Sequence, residues 1–325
     1  MKFFRSTEFI IACVLFAAMV IIGLINPAFW SLDNIFGLLR SNVVIGIMAL
    51  GVLLVMISGG IDVSFTAFAI AAMYLTVRAM VYLGYDGVLI PFVAATLIGL
   101  LLGAFNGFII HRFKMIPLIV TLGTGSIVRG LVLGLVGTST VNINKMPKEL
   151  IEFGKTDVVS LTNAAGTAFS LTAMFFVYLA LALLIPLILN YTMIGRSVYA
   201  YGGSPEAAKR VGFNTPRTIF FVYCVAGALA GFAGLLHSSM IWLANPRDFG
   251  GLELDVIAAV VLGGASIFGG RGTVLGTLMG VFMLVMVKNS LIIMKVDTTW
   301  QRVVVGLIII VATAITARRD RKSIA

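Results

Sequence analysis

Long apolar runs alternate with short charged connections along this chain, and that alternation limits its possible folds more than any other feature. The runs fall near residues 9–26, 41–58, 66–83, 88–110, 117–137, 167–190, 217–243, 254–268, 273–294 and 301–317. A helix needs about 20 apolar residues to cross the hydrocarbon core of a bilayer, and most of these runs approach or exceed that length. The run at 254–268 is short and glycine-rich, so a broken or tilted crossing is expected there. The fold expected is an all-α polytopic membrane bundle of about ten spans, with residues 1–325 forming a single transmembrane domain.

Composition excludes the soluble alternative. Hydrophobic residues make up 60% of the chain and charged residues 11%, where a soluble domain carries about 25% charge. So few charges cannot solvate a surface, whereas lipid accepts apolar side chains all round a helix. The 35 glycines suit close helix packing in that medium.

The net charge of +10 does not point to nucleic acid, because the cations lie in short clusters between apolar runs. They read as positive-inside signals. The tail Arg318-Arg319-Asp320-Arg321-Lys322 is the strongest and places the C-terminus in the cytoplasm. An even number of spans then puts the N-terminus, with Lys2 and Arg5, on the same side. The turn His111-Arg112-Phe113-Lys114 and the connection 191–216 are also internal, and the polar connection 138–166 is external. The first run is expected to be a retained span, since Asn26-Pro27-Ala28-Phe29-Trp30 lacks a small-residue cleavage site. Cys13, Cys224, His111 and His237 are too scattered for a metal site or a disulfide framework.

Four sets of residues carry information beyond span length. In Ser58-Gly59-Gly60-Ile61-Asp62-Val63-Ser64 a glycine pair is followed by a carboxylate and a hydroxyl. The segment is either a surface turn capped by Asp62 or a helix break at membrane depth, which is tolerated only when enclosed by protein. Gly202-Gly203-Ser204-Pro205-Glu206-Ala207-Ala208-Lys209-Arg210-Val211-Gly212 has the order of a capped helix. Ser204 is the N-cap, Pro205 the first helical position, Glu206 the first-turn acid, and Gly212 the stop. A helix this short is marginal alone, so it rests on its own bundle or docks onto a partner.

The third set is the glycine-rich stretch from Leu254 to Thr273, which ends in the tight turn Gly269-Gly270-Arg271-Gly272. It reads mainly as packing; no phosphate-loop pattern occurs in the chain. The fourth set is the polar residues within or near spans: Asn42, Asn106, Thr121, Thr124, Ser126 and Arg129. Arg129 stands out, because a charge inside a span is costly. Lys288 is expected to snorkel outward. A short internal echo pairs Gly59-Gly60…Asp62 with Gly250-Gly251…Asp255 on opposite sides, as an inverted repeat would.

Taken in order and spacing, these segments resemble the permease subunit of bacterial ATP-binding-cassette (ABC) importers for simple sugars, the ribose/xylose/arabinose-type group. The resemblance rests on Ser58 to Ser64, on Asn106-Gly107 through Pro117-Leu118-Ile119-Val120-Thr121-Leu122-Gly123-Thr124, on Arg129-Gly130, on Ser204 to Ala208, and on Gly263-Gly264 through Thr273. It implies a type II importer permease, related in architecture to cobalamin importers. The implied partners are a second permease chain, a cytoplasmic ATPase and a periplasmic sugar-binding protein, in the bacterial inner membrane. It places Gly203, Ser204, Pro205, Glu206, Ala207, Ala208 and Arg210 at the contact with the ATPase. Phe65-Thr66 stands where Val-Gly is usual, and Gly202-Gly203-Ser204 where Gly-Asn-Asn is common.

The resulting expectation is a permease that passes a neutral monosaccharide, pentose-like, and hydrolyses nothing itself. Candidates for its substrate path are Asp62, Ser64, Asn42, Asn106, Thr121 and Arg129. No cofactor is called for, and the remaining partner is membrane lipid. The alternatives are a permease for a nucleoside or a furanose-like signal molecule, and a proton- or sodium-coupled secondary transporter using Asp62 or Asp255. No Ser-His or His/Asp constellation within the spans supports an enzyme.

Overall fold

The computed structural model describes residues 7–162 and 168–297, with scattered positions between 300 and 310. Its helices are α1 (Thr7–Ile25), α2 (Leu32–Ile57), α3 (Phe65–Leu83), α4 (Leu89–Phe113), α5 (Pro117–Leu131), α6 (Lys148–Lys155), α7 (Ala173–Tyr191), α8 (Met193–Gly203), α9 (Pro205–Arg210), α10 (Thr215–Ile241), α11 (Leu252–Leu262) and α12 (Val274–Ile293). Strands β1 (Asp157–Thr162) and β2 (Ala168–Thr172) form an antiparallel hairpin between α6 and α7.

Among the described residues, eight helices are long and apolar enough to cross a membrane: α1 to α5 (α5 with its π-helical extension Val132–Val136), α7, α10 and α12. Two of the ten expected runs differ. The run at 254–268 becomes the 11-residue helix α11 followed by a glycine-rich turn. The run at 301–317 lies largely outside the described residues.

Helix α2 is the hub. It is apolar all round, and residues 42–44 and 46–57 are buried without interruption. A helix with no polar stripe has no solvent face to present, so it belongs at the centre with neighbours on every side. Here α7, α10, α11 and α12 surround it. Helix α1 is the opposite case: its apolar residues are mostly exposed, as suits a helix at the lipid boundary.

The tightest joint is between α4 and α10. Gly99 and Gly103 of α4 face Gly227 and Gly231 of α10, and a Cβ added at any of them would strike the other helix's backbone. Small residues at helical spacing let two backbones touch, which supplies dispersion contacts where lipid offers little hydrophobic drive.

The connection at 138–166 is more structured than a polar loop. Helix α6 docks on α10, where Ser239 Oγ donates to the Leu150 carbonyl at 2.9 Å. Val141 and Ala244 exchange backbone hydrogen bonds, tying this connection to the one after α10. The tip of the β-hairpin, 163–167, lies outside the described residues.

Candidate functional site

The segment from Ser58 to Ser64 is a break enclosed by protein, not a surface turn. Helix α2 ends in a Schellman motif: Gly59 N–H donates to the Met56 carbonyl and Gly60 N–H to the Val55 carbonyl, with Gly59 at φ +82°. The chain then runs without regular structure until α3 begins at Phe65. Asp62 is 3% exposed and Ser64 fully buried. Asp62 does not cap α3 by the usual route. Its Oδ1 accepts from Ser64 N–H at 2.7 Å and from Ser64 Oγ at 2.6 Å, an Asx-type turn that fixes the entry to the helix.

Neighbouring helices complete this network. Asn106 of α4 donates from Nδ2 to Ser64 Oγ at 2.9 Å. Thr121 of α5 accepts from Val63 N–H and reaches the Ile61 carbonyl, each at 3.3 Å. Four of the expected path residues, Asp62, Ser64, Asn106 and Thr121, therefore sit together around one break. Asn106 Oδ1 is buried and accepts no hydrogen bond among the described residues.

Arg129 belongs to a second cluster, which meets α3 two residues further on, at Thr66. Its guanidinium donates to Thr66 Oγ1 at 2.7 Å and pairs with Glu253 of α11, which also accepts from Thr66 Oγ1 at 2.8 Å. Helices α3, α5 and α11 are thus pinned by one charge pair. Thr66, noted in the sequence as a departure from the usual glycine, supplies the third member. Asn42 stands apart: its Nδ2 donates to the Leu38 carbonyl of its own helix at 2.7 Å.

Lys288 differs from expectation. It does not snorkel outward but pairs with Asp255 across α11 and α12. The two aspartates of the internal echo occupy different settings, Asp62 in the break and Asp255 in the first turn of α11. The closer structural match is between two helix ends. Helix α11 also stops in a Schellman motif, with Gly264 N–H on the Val261 carbonyl, Ala265 N–H on the Val260 carbonyl and Gly264 at φ +86°.

Those two ends meet beside α8 and α9. Gly270 N–H donates to the Ile57 carbonyl at 2.8 Å, and Gly202 of α8 packs against both Ile57 and Gly270. Tyr199 donates to the Gly272 carbonyl at 2.8 Å. The sequence pointed to one short helix here; the structure has two. Helix α8 precedes α9 and carries these contacts. In α9, Ser204 Oγ accepts from Ala207 N–H at 3.2 Å, Pro205 opens the helix, and Gly212 closes it at φ +90°. Gly203, Pro205, Glu206, Ala207 and Arg210 are exposed, while Ala208 is buried against the bundle.

A charged pair and a buried polar break lie inside an apolar bundle, and the end of α2 that leads into the break touches α8, which runs on into the exposed helix α9. Comparison with known proteins decides the family. Residues 34–313 match the family model described as the branched-chain amino acid transport system / permease component. The chain belongs to this permease family. The ribose import permease protein RbsC of Bacillus subtilis is 35% identical over 95% of this chain and 91% of the relative. That of Haemophilus influenzae is 33% identical over 95% and 94%. The autoinducer 2 import system permease protein LsrC of Yersinia pseudotuberculosis is 29% identical over 94% and 82%. No solved structure matches the chain.

Membership makes this permease a multi-pass inner-membrane transport subunit rather than an enzyme, and it implies an ATPase and a periplasmic binding protein as partners. Glu253 is the functional candidate that sequence reasoning missed. It was legible as an acid two residues before Asp255. A spacing of two turns about 200° around a helix, so the pair must face opposite sides and find separate partners.

Proposed function

We propose that this permease passes a monosaccharide, pentose-like, inward across the bacterial inner membrane, driven by ATP hydrolysis in a separate subunit. The contact of Gly202 with Ile57 and Gly270 carries this reading. It joins the exposed helix α9, through α8, to the ends of α2 and α11, where the buried break begins. In this reading Gly203, Ser204, Pro205, Glu206, Ala207, Ala208 and Arg210 receive the ATPase. Movement of α9 then biases the bundle between two states of different substrate affinity. Asp62, Ser64, Asn106, Thr121 and Arg129 line or support the path; Asn42, bonded within its own helix, supports packing there. A neutral sugar needs hydrogen-bonding groups rather than a counter-charge, which fits the serine, asparagine and threonine around the break.

The same reading places α9, the turn at His111 and both termini in the cytoplasm, consistent with the basic clusters there. A second permease chain packs on α5. The outer face of that helix carries Gly123, Ser126 and Gly130, with no neighbouring atom within 4 Å of a Cβ added at either glycine. The ribose-named relatives support a pentose, and the autoinducer-named relative keeps a furanose-like signal molecule as the second reading.

The test is uptake of radiolabelled D-ribose, D-xylose and L-arabinose into proteoliposomes holding the permease, its ATPase and the binding protein. ATP-dependent uptake is expected, and Glu206→Lys is expected to abolish it while membrane insertion stays normal. Normal uptake by that variant removes the coupling role of α9. Uptake without ATP removes the ABC reading in favour of a proton- or sodium-coupled carrier.

A further inference from the structure

At the end of the bundle away from α9, a cavity of about 600 Å³ opens between α2, α10, α11 and the loop joining the last two. Its walls include Arg40 and Ser41 of α2, His237 of α10, Asp248 and Phe249 of the loop, and Asp255 of α11. None of these belongs to the break around Asp62 or to the Arg129–Glu253 pair. The volume lies within the range of small-molecule pockets, about 300–1,000 Å³.

The side chains are held in place rather than loosely gathered. Arg40 donates from Nη2 to the Met240 carbonyl at 3.3 Å. The Phe249 ring lies 4.6 Å from the His237 ring, tilted by 52°. Phe249 achieves this from a left-handed backbone at φ +62° within the turn before α11, a conformation rare for a bulky residue. Asp248 Oδ2 is 3.8 Å from His237 Nε2, beyond hydrogen-bond reach, and this buried oxygen accepts no hydrogen bond among the described residues. Burial holds the Asp248 carboxyl above its usual range, partly offset by its hydrogen bonds from Asn245.

Charge and shape narrow the ligand. The Asp255 carboxylate is matched by Lys288, and Arg40 and Asp248 bring one further cation and one further acid to the walls of the same cavity. The formal charge of these four groups cancels, which disfavours an ion and suits a neutral polar molecule. A planar carboxylate and a planar guanidinium each match a vicinal pair of hydroxyls. An aromatic face suits the C–H face of a sugar ring. We propose that this cavity is a monosaccharide-receiving site within the permease itself. It holds the sugar at the external mouth after the binding protein lets it go and before it enters the bundle. The proposal rests on the import reading above.

The experiment uses the full-length permease with its ATPase in nanodiscs of phosphatidylethanolamine and phosphatidylglycerol, without the binding protein. Saturation-transfer NMR is recorded with D-ribose, D-xylose and L-arabinose. At least one pentose is expected to show transfer. Phe249→Asn keeps a residue that tolerates the left-handed backbone while removing the ring, and Arg40→Gln removes the guanidinium. Each is expected to weaken binding roughly two- to tenfold, the range for losing one net contact. Absence of transfer from all three pentoses, or equal transfer in wild type and both variants, overturns the proposal. ATP-driven pentose uptake by a complex whose permease binds no pentose removes this site alone, whereas a complex that imports no pentose removes the import reading.

Discussion

Gly202 offers the sharpest test of how α9 is wired to the bundle. A Cβ built there would fall 2.7 Å from Gly270 N and 2.8 Å from the Ile57 carbonyl carbon, and closer still to the Ile57 oxygen. All three are backbone atoms, so the clash cannot be relieved by turning a side chain. Relief requires α8 to move away from the end of α2, or the Gly269–Gly270 turn to move with loss of the hydrogen bond from Gly270 to Ile57. Overpacking costs about 1–3 kcal/mol and the hydrogen bond, where it is lost, about 0.5–1.5 kcal/mol more, so Gly202→Ala is expected to destabilise by about 1–4.5 kcal/mol. The next residue is the control. A Cβ at Gly203 meets no atom within 4 Å, so Gly203→Ala should leave stability unchanged or slightly raise it through helix propensity. Thermal unfolding of both variants in detergent, at one scan rate, reads the difference. Coupling is read as the ratio of sugar imported to ATP hydrolysed, which should fall for Gly202→Ala. Equal melting temperatures for the two variants would refute the argument, because their backbone positions are adjacent and only the neighbouring atoms differ.

Three other perturbations probe the interior. Removing one member of the Arg129–Glu253 pair strands a charge, so Arg129→Gln and Glu253→Gln should each destabilise by up to about 3–5 kcal/mol, less to the extent that the pair is partly exposed. The double variant should then recover stability over the worse single one, measured by a double-mutant cycle in thermal unfolding. Asp62→Asn retains the Oδ1 acceptor used by Ser64, so ATP-driven uptake should persist; complete loss of uptake with normal folding would instead favour proton coupling at Asp62. Gly227→Leu forces α10 away from Gly99 and Gly103, and the variant is expected to reach the membrane poorly, with a shorter half-life in pulse-chase labelling than Gly37→Leu, where a Cβ meets no neighbour within 4 Å.

What the sequence disclosed, and what it withheld, follows from the range of the interactions involved. Span position depends on hydropathy summed over many residues, and eight of the runs it marks are helices of crossing length. The start and stop of α9 are similarly local, since Ser204, Pro205 and Gly212 act on their own backbone. Helix α8 was harder to see because its residues are mixed in polarity and its stability comes from contacts with residues 57, 270 and 272, far off in sequence. Asp62 shows the same limit. A glycine pair followed by Asp and Ser is equally compatible with a surface turn and an enclosed break; only the arrival of Asn106 and Thr121 from other helices distinguishes them. For Lys288 the sequence alone favours the membrane surface, because without Asp255 snorkelling is the cheapest fate for a lysine in a span. Its actual position is set by an acid more than thirty residues away in the chain. The pattern has a physical reason. In lipid the hydrophobic effect no longer ranks one helix pairing over another, so polar contacts and glycine faces decide which helices meet. Those contacts join distant residues, and the same ones build the site. The network around Asp62 and the Arg129–Glu253 pair therefore holds α3, α4, α5 and α11 in register.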